Sequence, residues 1–220
     1  MRHPLRRAVL SAALTATGAV ALTVSAPAHA ADAKPTITAP ASTAGYHTII
    51  ISGTATPGAT VELYESAYVF HDLQPAVDWA NTGDRVTTTA TASGTYQISR
   101  WVDTGFLFAV QVNGVMSDTV TVRDRLVPIL TLTSTRTGTV TAKMVATPAQ
   151  PWVPVQIQRK NSNGTWSVVA HGYTTAPGAF SATLTKLKSR TTYTYRAWVG
   201  GDTESALLPA YSSTRSIKVK

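Results

Sequence analysis

The feature that most constrains the fold is a turn followed by an alternating apolar pattern, which occurs twice in the sequence. The first copy spans residues 55–65 and the second spans residues 146–160. Each contains a Thr-Pro pair, and proline fixes φ and cannot pair inside a sheet, so this pair marks a turn. The alternation that follows is typical of a strand with one buried face. Its apolar positions are Val61 and Leu63 in the first copy, and Val153, Val155 and Ile157 in the second.

Further short runs that are typical of strands follow at intervals of roughly ten residues, as expected for a β-sandwich. Residues 47–53, 95–99 and 106–112 are examples, and Asn113-Gly114 is a strong hairpin-turn signal. No helical period is present after residue 30. The sequence has no cysteine, which excludes disulfide staples and thiol chemistry. We therefore predict an all-β protein that is stabilised by apolar burial.

The first thirty residues predict a signal peptide that is removed after Ala30. A basic start with three arginines precedes an apolar, alanine-rich run, and Ala28-His29-Ala30 is a cleavage site of the A-x-A type. The pair Arg6-Arg7 also fits a twin-arginine export signal, so both export routes stay open. No later stretch is long and apolar enough for a membrane span. We expect a secreted, extracellular protein, either free or associated with the cell wall.

Charge is distributed unevenly along the mature chain. Residues 31–124 hold four basic and nine acidic side chains, a net charge of −5, whereas residues 125–220 hold twelve basic and two acidic ones, a net charge of +10. Three explanations fit the basic excess. The charges are simply solvated, or the acidic half docks on the basic half, or the basic half holds anionic envelope polymers by an attraction that salt screens. No nucleic-acid motif accompanies the charge, so nucleic acid is not an expected partner.

Residues 66–84 have no clear period and predict a long loop or a short extra element, the kind of segment in which binding often resides. Several oxygen donors lie there, which makes a weak calcium site conceivable. Their spacing fits no known calcium loop, so we predict no metal site and leave calcium binding open. These donors are His71, Asp72, Asp78, Asn81 and Asp84.

Two sets of residues support a resemblance to a known class of domain. Residues 53–61, followed by residues 92–96, resemble the bacterial immunoglobulin-like domains, also fibronectin-III-like, of secreted and cell-surface proteins. Residues 155–159 and 164–169 resemble relatives with a V-x-I/L-Q-R and G-x-W-x-x-V pattern, and similar modules accompany actinobacterial extracellular enzymes. The resemblance implies two tandem immunoglobulin-like β-sandwiches after the cleaved signal peptide. These are residues 31–124, with the insertion 66–84, and residues 125–220.

The candidate ligand-binding residues are those that strand alternation places opposite the core. In an immunoglobulin-like sandwich the third and sixth strands are neighbours, so outward residues on these strands of the second half share one face. Flat aromatic rings beside amide and guanidinium donors suit sugar rings or a protein partner. Packing of the same aromatics against the other half is an equally good explanation. The candidates are Trp152, Gln156, Gln158, Arg196 and Trp198 in the second half, and Tyr64, Tyr68 and Phe70 in the first.

No combination of residues typical of an enzyme is present. The sequence contains no G-x-S-x-G elbow, no H-E-x-x-H helix and no phosphate-binding glycine loop. We therefore expect no catalytic residues and no cofactor. The leading hypothesis is a secreted, non-catalytic binding or adhesion module that associates with the cell envelope or a polysaccharide. The alternative is a structural or protein–protein interaction module whose partner is another secreted or surface protein.

Overall fold

The structure is a computed structural model that describes residues 33–220, so the predicted signal peptide lies outside the described residues. The first half of this range contains nine strands: β1 (Ser42–Ala44), β2 (His47–Thr54), β3 (Thr60–Ala67), β4 (Gln74–Pro75), β5 (Thr87–Thr89), β6 (Thr95–Val102), β7 (Phe106–Val112), β8 (Val115–Met116) and β9 (Val120–Arg125).

The second half contains nine more strands. These are β10 (Val127–Thr133), β11 (Val140–Thr147), β12 (Pro154–Lys160), β13 (Trp166–Tyr173), β14 (Ala179–Leu184), β15 (Thr192–Val199), β16 (Leu207–Leu208), β17 (Ala210–Tyr211) and β18 (Arg215–Lys218). Within residues 33–220 no helix has the length and hydrophobicity needed to cross a bilayer.

The strands of each half form two sheets that enclose a hydrophobic core. In the first half, β2 pairs with β6, and the second sheet has the order β1-β9-β7-β3-β4 with β5 on β3 and β8 on β7. In the second half, one sheet has the order β10-β11-β14 and the other has the order β13-β12-β15-β17, with β18 on β15. The protein is thus all-β, with immunoglobulin-like sandwiches as predicted. We call strands β1–β9 the first sandwich and strands β10–β18, apart from β16, the second.

Alternation along single strands builds these cores. In β11, Val140, Ala142 and Met144 are fully buried, whereas Lys143 and Val145 point outward. One core comprises buried residues between Ile49 and Val122, and the other comprises buried residues between Leu126 and Val219. The domain division at residues 124 and 125 stays a prediction, although the two clusters of buried residues fall on either side of it.

The two halves meet through backbone pairing near the end of β9. Strand β16 pairs in parallel with the end of β9, with Leu207 opposite Asp124. The backbone amide of Asp124 donates to the carbonyl of Ala206 at 3.1 Å. All ion pairs found among residues 33–220 join partners within residues 34–118. Among the described residues, no ion pair joins the acidic half to the basic half.

Candidate binding site

Four of the five candidates of the second half lie on one surface of the sheet β13-β12-β15-β17. The antiparallel register of β12 and β15 places Gln156 opposite Trp198 and Gln158 opposite Arg196. Strand β13 lies on the other side of β12 and places His171 opposite Gln156. Because alternate residues of a strand share a side of the sheet, these side chains all project from the surface that faces away from the core. We call this surface the aromatic face.

Arg196 is held in a stack at the centre of the aromatic face. Its guanidinium carbon lies 4.4 Å from the ring centre of Trp166 and 4.0 Å from that of Tyr211. Its Nε donates to Oε1 of Gln158 at 2.8 Å, and Nε2 of Gln158 donates to Oε1 of Gln156 at 2.9 Å. The guanidinium thus makes cation–π contacts with two aromatic rings. Arg196 therefore links β13, β12 and β17 on this face.

Gln158 differs from its predicted role as an exposed donor. Its position on the outward surface is as predicted, but only 8% of the residue is accessible to solvent. A bulge between Ile157 and Gln158 shifts the pairing with β13, and the side chain bonds both Arg196 and Gln156. Its amide is therefore used inside the protein and is a positioning group for its neighbours.

A shallow cleft of about 280 Å³ lies beside this stack. Tyr173 is 62% exposed and lies opposite Pro154 at one end of the sheet. Trp198 is half-buried, and the exposed His171 lies opposite Gln156, which also lines the cleft. The cleft therefore combines two flat aromatic surfaces with polar donors and acceptors. Its lining residues are Pro154, Val155, Gln156, Val168, His171, Gly172, Tyr173 and Trp198.

Trp152 lies outside the strand on which the sequence places it. It is in the turn before β12, where its φ of 64° is left-handed, and it is 80% exposed. Its backbone amide donates to the carbonyl of Thr174, the residue after Tyr173, at 2.9 Å. Trp152 is thus near the Tyr173 end of the sheet but is not among the residues that line the cleft. Strand alternation does not set its direction, because the turn does.

The three candidates of the first half do not form one surface, because β3 ends at Ala67 and the chain then turns. A strand that continued past Ala67 would place Tyr68 and Phe70 on the side of Tyr64, but β3 does not continue in this way. Tyr64 lies on β3, and its hydroxyl donates to Gln111 at 3.3 Å. Tyr68 is half-buried and its ring packs edge-on against His71 at 4.7 Å between ring centres. Phe70 is 75% exposed.

The insertion 66–84 is a folded extension of the sheet rather than a plain loop. Strand β4 pairs with β3, and Val77 bridges to Arg85. Phe70 and Trp79, which is 82% exposed, line a groove of about 670 Å³. In this part of the chain, Asp78 accepts two bonds of 3.0 Å from the amide of Asn81. Among residues 33–220 no group of three or more His, Asp or Glu side chains is arranged to hold a metal ion.

Sequence reasoning missed several residues of the aromatic face: Trp166, Val168, His171 and Tyr173 on β13 and Tyr211 on β17. A signal for part of β13 was present, since Trp166 belongs to the run 164–169 that carries the domain resemblance, and Trp166 and Tyr173 are the first and last residues of the strand. Tyr211 lies on a two-residue strand, which is too short to produce a periodic pattern.

No family model matches the chain, and no curated protein matches it significantly. Among solved structures, the chicken interferon gamma receptor alpha chain is 10% identical with a TM-score of 0.46, over 85% of this chain and 98% of that chain. A tetra-tandem repeat in the extending region of a large adhesion protein is 18% identical with a TM-score of 0.46, over 87% of this chain and 50% of that chain. A chain of a cytokine receptor complex is 15% identical with a TM-score of 0.40, over 83% of this chain and 95% of that chain. Likenesses at this level carry no argument about what this chain binds.

Proposed function

We propose that the protein is a secreted, non-catalytic binding module that associates with the cell envelope or a polysaccharide through the cleft on the aromatic face. A bacterial, extracellular setting follows from the predicted signal peptide and from the domain resemblance. The observation that carries the proposal is the register that brings Trp198, Gln156, His171 and Tyr173 around one open cleft. Fold by itself does not determine function, so the proposal rests on this surface.

The chemistry of the cleft suits a sugar chain. Aromatic rings offer a large apolar surface with a defined geometry, onto which the C–H face of a pyranose can stack. The amide of Gln156 and the imidazole of His171 supply the hydrogen bonds that fix orientation, as in binding sites that combine apolar walls with a few polar groups. The stack around Arg196 holds the strands of this face in place, so the cleft is largely preformed.

A protein partner is the second candidate, and a separate surface favours it. On the outer side of the sheet β2-β6, the rings of Tyr46 and Trp101 stack with centres 5.3 Å apart and planes inclined by 12°. Both are about half exposed, and so is Ile50 on the neighbouring strand. Exposed aromatic and aliphatic side chains of this kind are typical of protein interaction sites.

Removing the exposed rings of the cleft should weaken retention on envelope polysaccharide. We expect the double variant Tyr173→Ala, His171→Ala to bind at least tenfold less tightly to purified cell wall, because binding energy concentrates in a few well-packed aromatic anchors. Both side chains are exposed, so the fold should be kept. The measurement is the fraction of protein that sediments with purified cell wall or insoluble polysaccharide across a concentration series.

The matched control is Trp101→Ala, which removes a ring of similar exposure from the first sandwich. This control should retain wild-type sedimentation. If instead Trp101→Ala abolishes capture of a protein from culture supernatant, while the cleft variant and the wild type both fail to bind cell wall, the protein-partner alternative is the correct one.

A further inference from the structure

Six of the twelve basic side chains of residues 125–220 lie at one end of the second sandwich. We call this group the basic end, and every member is exposed. Its residues come from three segments that are far apart in sequence. They are Arg136, Lys186, Lys188, Arg190, Lys218 and Lys220.

Backbone hydrogen bonds hold these three segments together. The amide of Gly138 donates to the carbonyl of Lys220 at 3.1 Å, and the amide of Leu187 donates to the carbonyl of Gly138 at 3.0 Å. The amide of Arg190 donates to the carbonyl of Val219 at 2.8 Å. The backbone therefore holds the three charged segments close together, whichever rotamers the lysine and arginine side chains adopt.

Little in the second sandwich neutralises this charge. Its two acidic residues, Asp202 and Glu204, lie after the far end of β15, where Asp202 bridges to Leu207 near the end of β9. Strand β15 runs from Thr192, opposite Lys218, to Val199, so roughly 23 Å of extended chain separates the two ends. Within the part of the chain that the structure describes, no ion pair involves a residue of the basic end.

Like charges held close together repel each other and raise a positive potential that attracts and concentrates anions. Most members of the basic end lie in turns or at the end of the chain, and none of the six lines the five clefts identified in residues 33–220. A chain with repeated negative groups can contact several of the charges together, and each contact releases bound counterions.

We propose that the basic end is a docking site for a linear polyanion whose repeating units carry phosphate or carboxylate groups. This site is distinct from the cleft on the aromatic face. It rests on the proposed function in one respect, namely that such a polymer would belong to the cell envelope. Together the two sites give the second sandwich one surface that recognises sugar rings and one end that attracts charge.

Polyphosphate and polygalacturonate are suitable probes, because they separate the phosphate and carboxylate sources of the same chemistry. We expect the triple variant Lys186→Gln, Lys188→Gln, Arg190→Gln to bind at least one of these polymers roughly 30- to 100-fold less tightly at low salt. We also expect the wild-type affinity to fall steeply with rising NaCl, and the variant to show a shallower slope. Lys186 and Arg190 have left-handed φ values of 58° and 62°. Glutamine is unbranched at Cβ, as lysine and arginine are, so the substitutions should add no backbone strain.

The control is Arg123→Gln, Arg125→Gln, Lys143→Gln, which removes the same charge from exposed positions on β9 and β11. Its affinity should change less than threefold. An equal loss in both triple variants would overturn the proposal, since it would show an effect of net charge alone, and so would an affinity that does not respond to salt. The variant Tyr173→Ala, His171→Ala should bind each polymer as tightly as the wild type does, so failure of the cleft proposal would leave this result unchanged.

Discussion

Replacing Gly53 by alanine should destabilise the first sandwich by about 3 kcal/mol or more. A Cβ atom at this position would lie 2.0 Å from the carbonyl oxygen of Thr36 and 2.6 Å from the hydroxyl oxygen of Tyr96. That hydroxyl donates to the same carbonyl at 2.6 Å, and the amide of Thr36 donates to Thr54 at 2.9 Å. The new methyl group would displace the segment around Thr36 and leave the partly buried Tyr96 hydroxyl without its acceptor.

Gly58→Ala is the matched control for this prediction. Gly58 has a φ of 74° but nothing within 4 Å of an added Cβ atom. Its substitution should cost only about 1 kcal/mol, the strain of a left-handed alanine. Urea unfolding of both variants measures the difference, and equal losses of unfolding free energy would show that close packing at Gly53 is not the cause.

Asp124 should make the protein less stable at neutral pH than at mildly acidic pH. Its side chain is fully buried where β9 meets β1 and β16. Oδ1 accepts the backbone amide of Arg125 at 2.8 Å, whereas Oδ2 has no partner among residues 33–220. Burial, with a smaller contribution from the charge of Asp103, raises the pKa of Asp124 from 3.8 to about 6.

The sign follows from proton binding. The folded state binds this proton more tightly than the unfolded state, so the free energy of unfolding rises as pH falls through 6 toward 4. A shift of about two units corresponds to about 3 kcal/mol at pH above 7. We expect Asp124→Asn, which keeps an acceptor for the Arg125 amide, to be more stable than wild type by up to that amount at pH 8.

Denaturant unfolding of wild type and Asp124→Asn between pH 4 and pH 8 tests this expectation. The difference between the two proteins isolates this carboxyl from the other titrating groups. The gain should be large at pH 8 and should shrink to a small value near pH 4. A stability difference that stays constant over the whole range would mean that the carboxyl does not titrate in the predicted window.

Strand positions and the neighbour relation of β12 and β15 could be predicted from the sequence because local chemistry determines them. Asn113-Gly114 forms the predicted hairpin turn between β7 and β8, with left-handed φ values of 48° and 82°. The alternation that made Val155 and Ile157 inward residues also put Gln156 and Trp198 on the outward surface, where the register pairs them. Because each strand buries one face, its alternation determines which residues face the core and which face outward.

Other features depend on contacts between distant segments, which a pattern within one strand does not contain. Arg196 is stacked because β13 and β17 bring Trp166 and Tyr211 to either side of it, and this needs the register of three strands. Gln158 is covered because of the same neighbours and a bulge. The direction of Trp152 depends on a left-handed turn residue, a conformation that the sequence around a tryptophan does not signal.

The central claim, that a sugar chain binds in the cleft of the aromatic face, is tested most directly by amide chemical-shift mapping. Isotope-labelled protein would be titrated with a soluble fragment of the cell-wall polysaccharide. We predict saturating shifts confined to β12, β13 and β15, centred on Gln156, Gly172 and Trp198, with little change in the first sandwich. Shifts centred on the stacked rings of Tyr46 and Trp101, or no shifts at millimolar ligand, would contradict the account.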